Sequence, residues 1–204
     1  MTTVPPAIAT AMNSSDDPKV LRTLGMKGVS LALWDRALPD HLANALDSLP
    51  PDNLPVMRRR LAVSQVRRAV LEACEDAGAD EIATDLATEI RELASHAMAV
   101  FASPMLEIRI QVAEGQPCPK WHVDAVQGRL LCTLRGPGTE YGPLQPSGEP
   151  ETVHRMRRGR VGVFRGALWP GRELAAIVHR SPPKDAGGTR LAVVIDPVDH
   201  AGTA

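Results

Sequence analysis

Aromatic residues are scarce in this sequence: Phe, Trp and Tyr make up 3% of its 204 residues. With so few large rings, each of the three Trp residues weighs more than usual in a pocket or a core. Cysteine is sparse too. Cys74, Cys118 and Cys132 are odd in number and irregularly spaced, which argues against a disulfide-stapled secreted domain and for a reducing compartment. Neither charge sign dominates. Lys and Arg number 23 against 24 Asp and Glu, so there is no global pull toward nucleic acid or an anionic membrane. No apolar run approaches the roughly 20 residues needed to cross a bilayer. Residues 1–18 lack the basic start and apolar stretch of a secretory leader. There is no G-x-S-x-G motif, so a serine hydrolase is not expected. These absences leave a soluble cytoplasmic protein as the expectation.

What is present is an ordinary globular composition, 44% hydrophobic and 23% charged. Residues 1–17 mix small residues, Pro, Ser and Asp and read as a mobile tail. Residues 18–104 read as a mainly helical layer. Val29–Trp34 is a short strand within it, and Pro39 opens a helix stopped by Pro50-Pro51. A second helix is predicted from about Val56 to Cys74 and a third from about Asp80 to Phe101. In the third, Ile82, Leu86, Ile90, Leu93, Ala97 and Phe101 recur at spacings of three or four. Gly78 between the two is a natural helix stop.

After Pro104 the period changes to two. Strands are expected at Met105–Ala113, Lys120–Asp124, Arg129–Arg135, Arg160–Phe164, Ala175–Arg180 and Arg190–Asp196, separated by Gly- and Pro-rich turns. Residues 105–204 therefore read as a β-sandwich or double-sheet jelly roll, and the chain as an α+β protein forming one integrated domain.

The chemistry concentrates in the second half. His122 and Asp124 are two apart in a strand candidate, so an imidazole and a carboxylate face the same way. His179, 57 residues further on in another strand candidate, can supply a third ligand. Two His and one carboxylate on one face of a metal leave its other positions open, the arrangement of non-haem Fe(II) oxygenases. Arg190 lies 11 residues after His179 across a turn, where its planar fork could grip a carboxylate.

His122-Val-Asp124, then His179, then Arg190, resembles the H-x-D…H…R motif of the Fe(II)/2-oxoglutarate dioxygenase superfamily. Gly159-Arg-Val-Gly-Val-Phe164 is similar to a strand of that superfamily. The resemblance spans roughly Met105 to Asp196. It implies a double-stranded β-helix of the jelly-roll or cupin type, with the N-terminal helices packed on it. It implies iron held by His122, Asp124 and His179, and 2-oxoglutarate held by Arg190. It also implies oxidation of a C–H bond in an unidentified primary substrate. Cys118-Pro-Lys-Trp-His-Val-Asp124 and His179-Arg-Ser-Pro182 also resemble an uncharacterised bacterial family of unknown function.

The cysteines keep a second reading open. Cys118 lies four before His122, and Cys132 sits in the next strand candidate. Thiolates suit zinc, so a metal-handling protein could use them with His122, Asp124 and His179. Trp121, Tyr141 and Trp169 flank the proposed site and could line a pocket. Thr133 and Arg135 share a face with Arg129 and could reach a co-substrate. The basic runs Arg58–Arg60 and Arg155–Arg160 read as solvated faces, and nucleic acid is not the expected partner.

Overall fold

A computed structural model describes residues 6–198. In chain order it contains β1 (Ile8–Ala9), β2 (Ala11–Ser15), a 3₁₀ helix (Pro18–Gly25), β3 (Val29–Trp34), α1 (Asp40–Ser48), a 3₁₀ turn (Pro51–Asn53) and β4 (Met57–Leu61). Then come α2 (Val63–Ala77), α3 (Asp80–Phe101), β5 (Leu106–Ala113), β6 (Gly128–Arg135), β7 (Glu140–Pro143) and β8 (His154–Arg155). The chain finishes with β9 (Val161–Arg165), β10 (Leu174–Ala175), β11 (Ile177–Arg180), a 3₁₀ turn (Lys184–Ala186) and β12 (Arg190–Pro197).

Seven strands form one large sheet in the order β2-β3-β9-β6-β12-β5-β4. A smaller sheet runs β11-β7-β8, and β1 pairs with β10. Period-two alternation divides the large sheet's side chains between two apolar clusters. Leu130, Cys132, Leu134, Val163, Val193 and Ile195 share a cluster with Ile82, Leu86, Ile90 and Leu93 of α3. Leu33, Leu131, Phe164 and Val194 point the other way, into a smaller cluster with Tyr141 and Ile177 of the small sheet. The large sheet is thus covered by helices on one face and partly by the small sheet on the other. The site lies on that second face.

Four expectations need correction. Residues 8–15, read as part of a mobile tail, form β1 and β2. β2 pairs in parallel with β3 from Ala11 to Ser15, although its polar Asn-Ser-Ser run carries no apolar alternation. Residues 1–5 of that stretch and 199–204 of the last one lie outside the described residues. The boundary at 104 does not divide the sheet, because β2, β3 and β4 precede it and β5, β6, β9 and β12 follow.

The helix expected from Val56 begins at Val63 instead. Met57 and Leu61 are buried and Arg58, Arg59 and Arg60 exposed, a spacing of four that suits either structure. Pairing with β5 settles it as an edge strand, and its arginines discourage further pairing there. Lys120–Asp124 is not a strand. His122 forms a single antiparallel bridge with His179. α1 and α3 match expectation, and α2 stops at Gly78, whose φ of +65° a side chain would disfavour.

Candidate metal centre

His122 and His179 come together through the backbone. The His122 N–H donates to the His179 carbonyl at 3.2 Å, and the His179 N–H donates back at 3.0 Å. Across this bridge their rings stand 4.6 Å apart, and Phe164 packs on His179 at 4.8 Å. Asp124 follows in the loop leading to β6. Its carbonyl accepts from the Ala167 N–H at 2.8 Å. That loop runs so close to the end of β9 that a Cβ on Gly166 would sit 1.8 Å from the Val126 carbonyl oxygen. Any side chain there must push the Asp124 loop away.

One ligand atom from each of His122, Asp124 and His179 lies within 4.8 Å of the others. Asp124 Oδ2 is 3.1 Å from His179 Nε2, and Asp124 Oδ1 is 3.5 Å from His122 Nε2. Ligands about 2.1 Å from one ion and at right angles stand about 3 Å apart, so a divalent cation fits with small adjustment. Two further observations agree. His122 Nδ1 donates to the Lys120 carbonyl at 2.9 Å, so in the neutral ring the Nε2 lone pair faces the centre. Asp124 Oδ2 is buried and its close polar neighbour is His179 Nε2, with no aligned hydrogen bond between them, as for two ligands facing a shared cation.

The electrostatics favour the ligating form of Asp124 and His179, and the protonated form of His122. Burial works to raise the Asp124 pKa, but the two imidazoles and Arg129 hold it far below the usual carboxylate range. Burial pushes His179 down, against the upward pull of Asp124. His122 is raised, chiefly by Asp124.

Arg129 on β6 links two carboxylates. Its Nη1 donates to Asp124, while its Nε and Nη2 each donate to Asp196 of β12 at 2.7 Å. Asp196 also accepts from Arg109 of β5. The sequence reading singled out neither Arg109 nor Asp196, because both reach the site only through the register of β5, β6 and β12.

His122, His179 and Arg190 line a cavity of about 280 Å³. Arg190 donates to Thr139 Oγ1 at 2.7 Å and to Thr133 Oγ1 at 3.3 Å. Both hydroxyls are buried. It pairs with no carboxylate among the described residues, and its Nε has no partner. Burial lowers its pKa to about 10, which still leaves it charged at neutral pH. A charged guanidinium held by two neutral hydroxyls is a receptor for an anion.

The other candidates separate. Trp121 lies under the Arg180 guanidinium, 4.3 Å from ring centroid to carbon, beside the cavity. Tyr141 is buried between the sheets and accepts from Arg160 at 3.3 Å. Trp169 stacks with Arg165, away from the cavity lining. Arg135 turns aside and donates to the carbonyls of Leu46 and Leu49 at the end of α1. Cys118 is exposed at the cavity. Cys132 belongs to the opposite face of β6, in the helix-side cluster, where burial raises its pKa to about 12. Strand alternation removes it from the ligand set, and the zinc arrangement loses one of its two thiolates.

Many solved structures resemble this chain, among them the following three. Dioxygenase for auxin oxidation 1 from Arabidopsis thaliana, in a complex with 2-oxoglutarate, is 13% identical; the match covers 93% of this chain and 92% of that one, with a TM-score of 0.56. The rice dioxygenase for auxin oxidation is 14% identical over 93% and 83%, with a TM-score of 0.49. A Pseudomonas putida prolyl-4-hydroxylase is 14% identical over 98% and 100%, with a TM-score of 0.45. At these identities the Arabidopsis likeness speaks for the fold alone, and the two lower scores carry no argument. No curated protein matches the sequence. The family model described as "Protein of unknown function (DUF1826)" matches residues 15–196, and the chain belongs to that family.

Proposed function

We propose that this protein is an Fe(II)/2-oxoglutarate-dependent oxygenase with the double-stranded β-helix of a jelly roll. The observation that carries the reading is one cavity lined by His122, His179 and the guanidinium of Arg190, which pairs with no carboxylate among the described residues, with the Asp124 carboxylate set against both imidazoles. Three ligands on one side of an ion leave positions for a chelating keto acid, and Arg190 faces the cavity as a clamp for the far carboxylate. Iron bound there would supply dioxygen-dependent hydroxylation of a substrate C–H bond, one oxygen atom of O2 going to the substrate and the other to the succinate formed, with loss of carbon dioxide, from 2-oxoglutarate.

This chain's own residues divide the remaining work. Lys120 fixes the His122 tautomer through its carbonyl, Arg129 orients Asp124, and Thr133 and Thr139 aim Arg190. Phe164 presses on His179 and keeps that side of the centre dry. The free thiols of Cys74, Cys118 and Cys132 suit a reducing, cytoplasmic setting.

Anaerobic titration of the metal-free protein with Fe(II) and then 2-oxoglutarate tests this. A weak visible charge-transfer band is expected in the wild type, lost in His179→Ala. In Arg190→Ala it should appear only at much higher 2-oxoglutarate. No band in the wild type sinks the reading.

A further inference from the structure

Arg109 is not explained by binding iron or 2-oxoglutarate. The charged side chains lining the cavity are Arg109, Arg129, Arg180 and Arg190, and no Asp or Glu lines it. Three of the four have assignments. Arg129 spends its donors on Asp124 and Asp196. Arg180 bonds Glu140 at 2.9 Å and lies over Trp121 at the rim. Arg190 is the clamp for the co-substrate. Arg109 shares Asp196, a carboxylate already held in bidentate fashion by Arg129, and its buried Nε has no hydrogen-bond partner, the Glu107 carboxylate standing off at 3.9 Å.

The register separates Arg109 from Arg190. Arg109 lies opposite Val194, and Arg190 opposite Ala113, four residues away along the β5–β12 pair. That is about 13 Å at the backbone. Their side chains diverge further, Arg190 toward Thr133 and Thr139 and Arg109 toward Asp196. 2-Oxoglutarate has one carboxylate at Arg190 and the other at the metal centre, so it leaves none for Arg109. Between the two arginines the lining is mixed, with the apolar Ala192 and Val194 of β12 and Leu131 of β6 beside Gln111 of β5. Arg58 and Arg60, paired with Glu107, add positive charge on the neighbouring edge strand, which favours an incoming anion.

We propose that Arg109 anchors the primary substrate, and that this substrate is a small organic oxyanion, a carboxylate or a phosphate ester, whose apolar body lies along Ala192 and Val194. The proposal rests on the oxygenase reading for its word "substrate"; the anion site itself does not. A cavity of about 280 Å³ suits a small molecule alongside the co-substrate better than a polymer.

The test uses the full chain loaded with Mn(II) and saturating 2-oxoglutarate, titrated calorimetrically with butyrate and, separately, with inorganic phosphate. At least one probe should bind the wild type. Its affinity should fall about tenfold or more in Arg109→Gln and less in Arg109→Lys, which keeps the charge but not the fork. 2-Oxoglutarate affinity should hold in both variants. A butyrate response identifies a carboxylate and a phosphate response a phosphate ester. Neither probe binding the wild type, or equal binding to wild type and Arg109→Gln, overturns the proposal. Should Arg109→Gln fail to fold by circular dichroism, the comparison with Arg109→Lys decides in the same way. Failure of 2-oxoglutarate to bind the wild type would count against the oxygenase reading instead, and titrating the probes without it would still report on Arg109.

Discussion

Arg129 touches both Asp124 and Asp196, and its geometry matters more than its charge. Arg129→Lys keeps a cation in place but cannot hold two carboxylates at once. Mn(II) affinity, followed by calorimetry, should fall by about 10- to 100-fold, as when a residue behind a metal ligand is lost, while circular dichroism stays native. The thiols offer a second check at this scale. Burial raises Cys74 to about 11 and Cys132 to about 12, whereas Cys118 is exposed. Native protein should therefore release one equivalent of chromophore from an aromatic disulfide reagent at pH 8, and the other two only after denaturation. At this scale the motif spacing pointed to four residues that the structure gathers in one region, His122, Asp124, His179 and Arg190, although His122 and Asp124 lie in a loop and not in the expected strand. Thr133 was legible as a neighbour of the site. Thr139 and Asp196 were not, since one lies in a Gly-Pro loop and the other meets Arg129 only across paired strands.

Elements tell a similar story. The long period of α3 is unambiguous over 22 residues. β4 merged with α2 because Met57 and Leu61 satisfy both periods, and β7 and β8 are too short and polar to announce themselves. The contact between α3 and β3 carries a pH dependence. His96 stacks edge-on against Trp34 at 5.1 Å, and burial lowers its pKa below 6.5. The unfolded chain then binds the proton more readily. Stability from this group is complete above about pH 6.5 and is lost as pH falls through the folded value. His179 is lowered too and acts in the same sense; His122, being raised, acts against it. The melting temperature should drop between pH 7.5 and 5.5, and the drop should shrink in His96→Gln. An equal drop in both proteins would remove His96 from the account.

For the whole molecule, the large sheet takes strands from both sides of residue 104. β3 contributes Leu31 and Leu33 to one cluster and Ala32 and Trp34 to the other. A fragment comprising 105–204 leaves β9 and β5 as bare edges and exposes the helix-side face of β6 and β12. It should lack a cooperative thermal transition and fail to bind Mn(II), whereas the full chain should melt cooperatively and bind the ion. One integrated domain was the expectation, but the part of β2 and β4 in the large sheet was hidden: β2 pairs in parallel with β3 and joins without apolar alternation of its own, and β4 shares its spacing with a helix.

The main-chain bridge between His122 and His179 also bears on how the centre fills and empties. Two amide hydrogen bonds already tether the imidazoles, so much of the ordering needed for ligation is completed when the sheet forms rather than when an ion arrives. Metal uptake should therefore be a local event, slowing amide exchange in the Asp124 loop while leaving the exchange rates of the two bridging amides nearly unchanged.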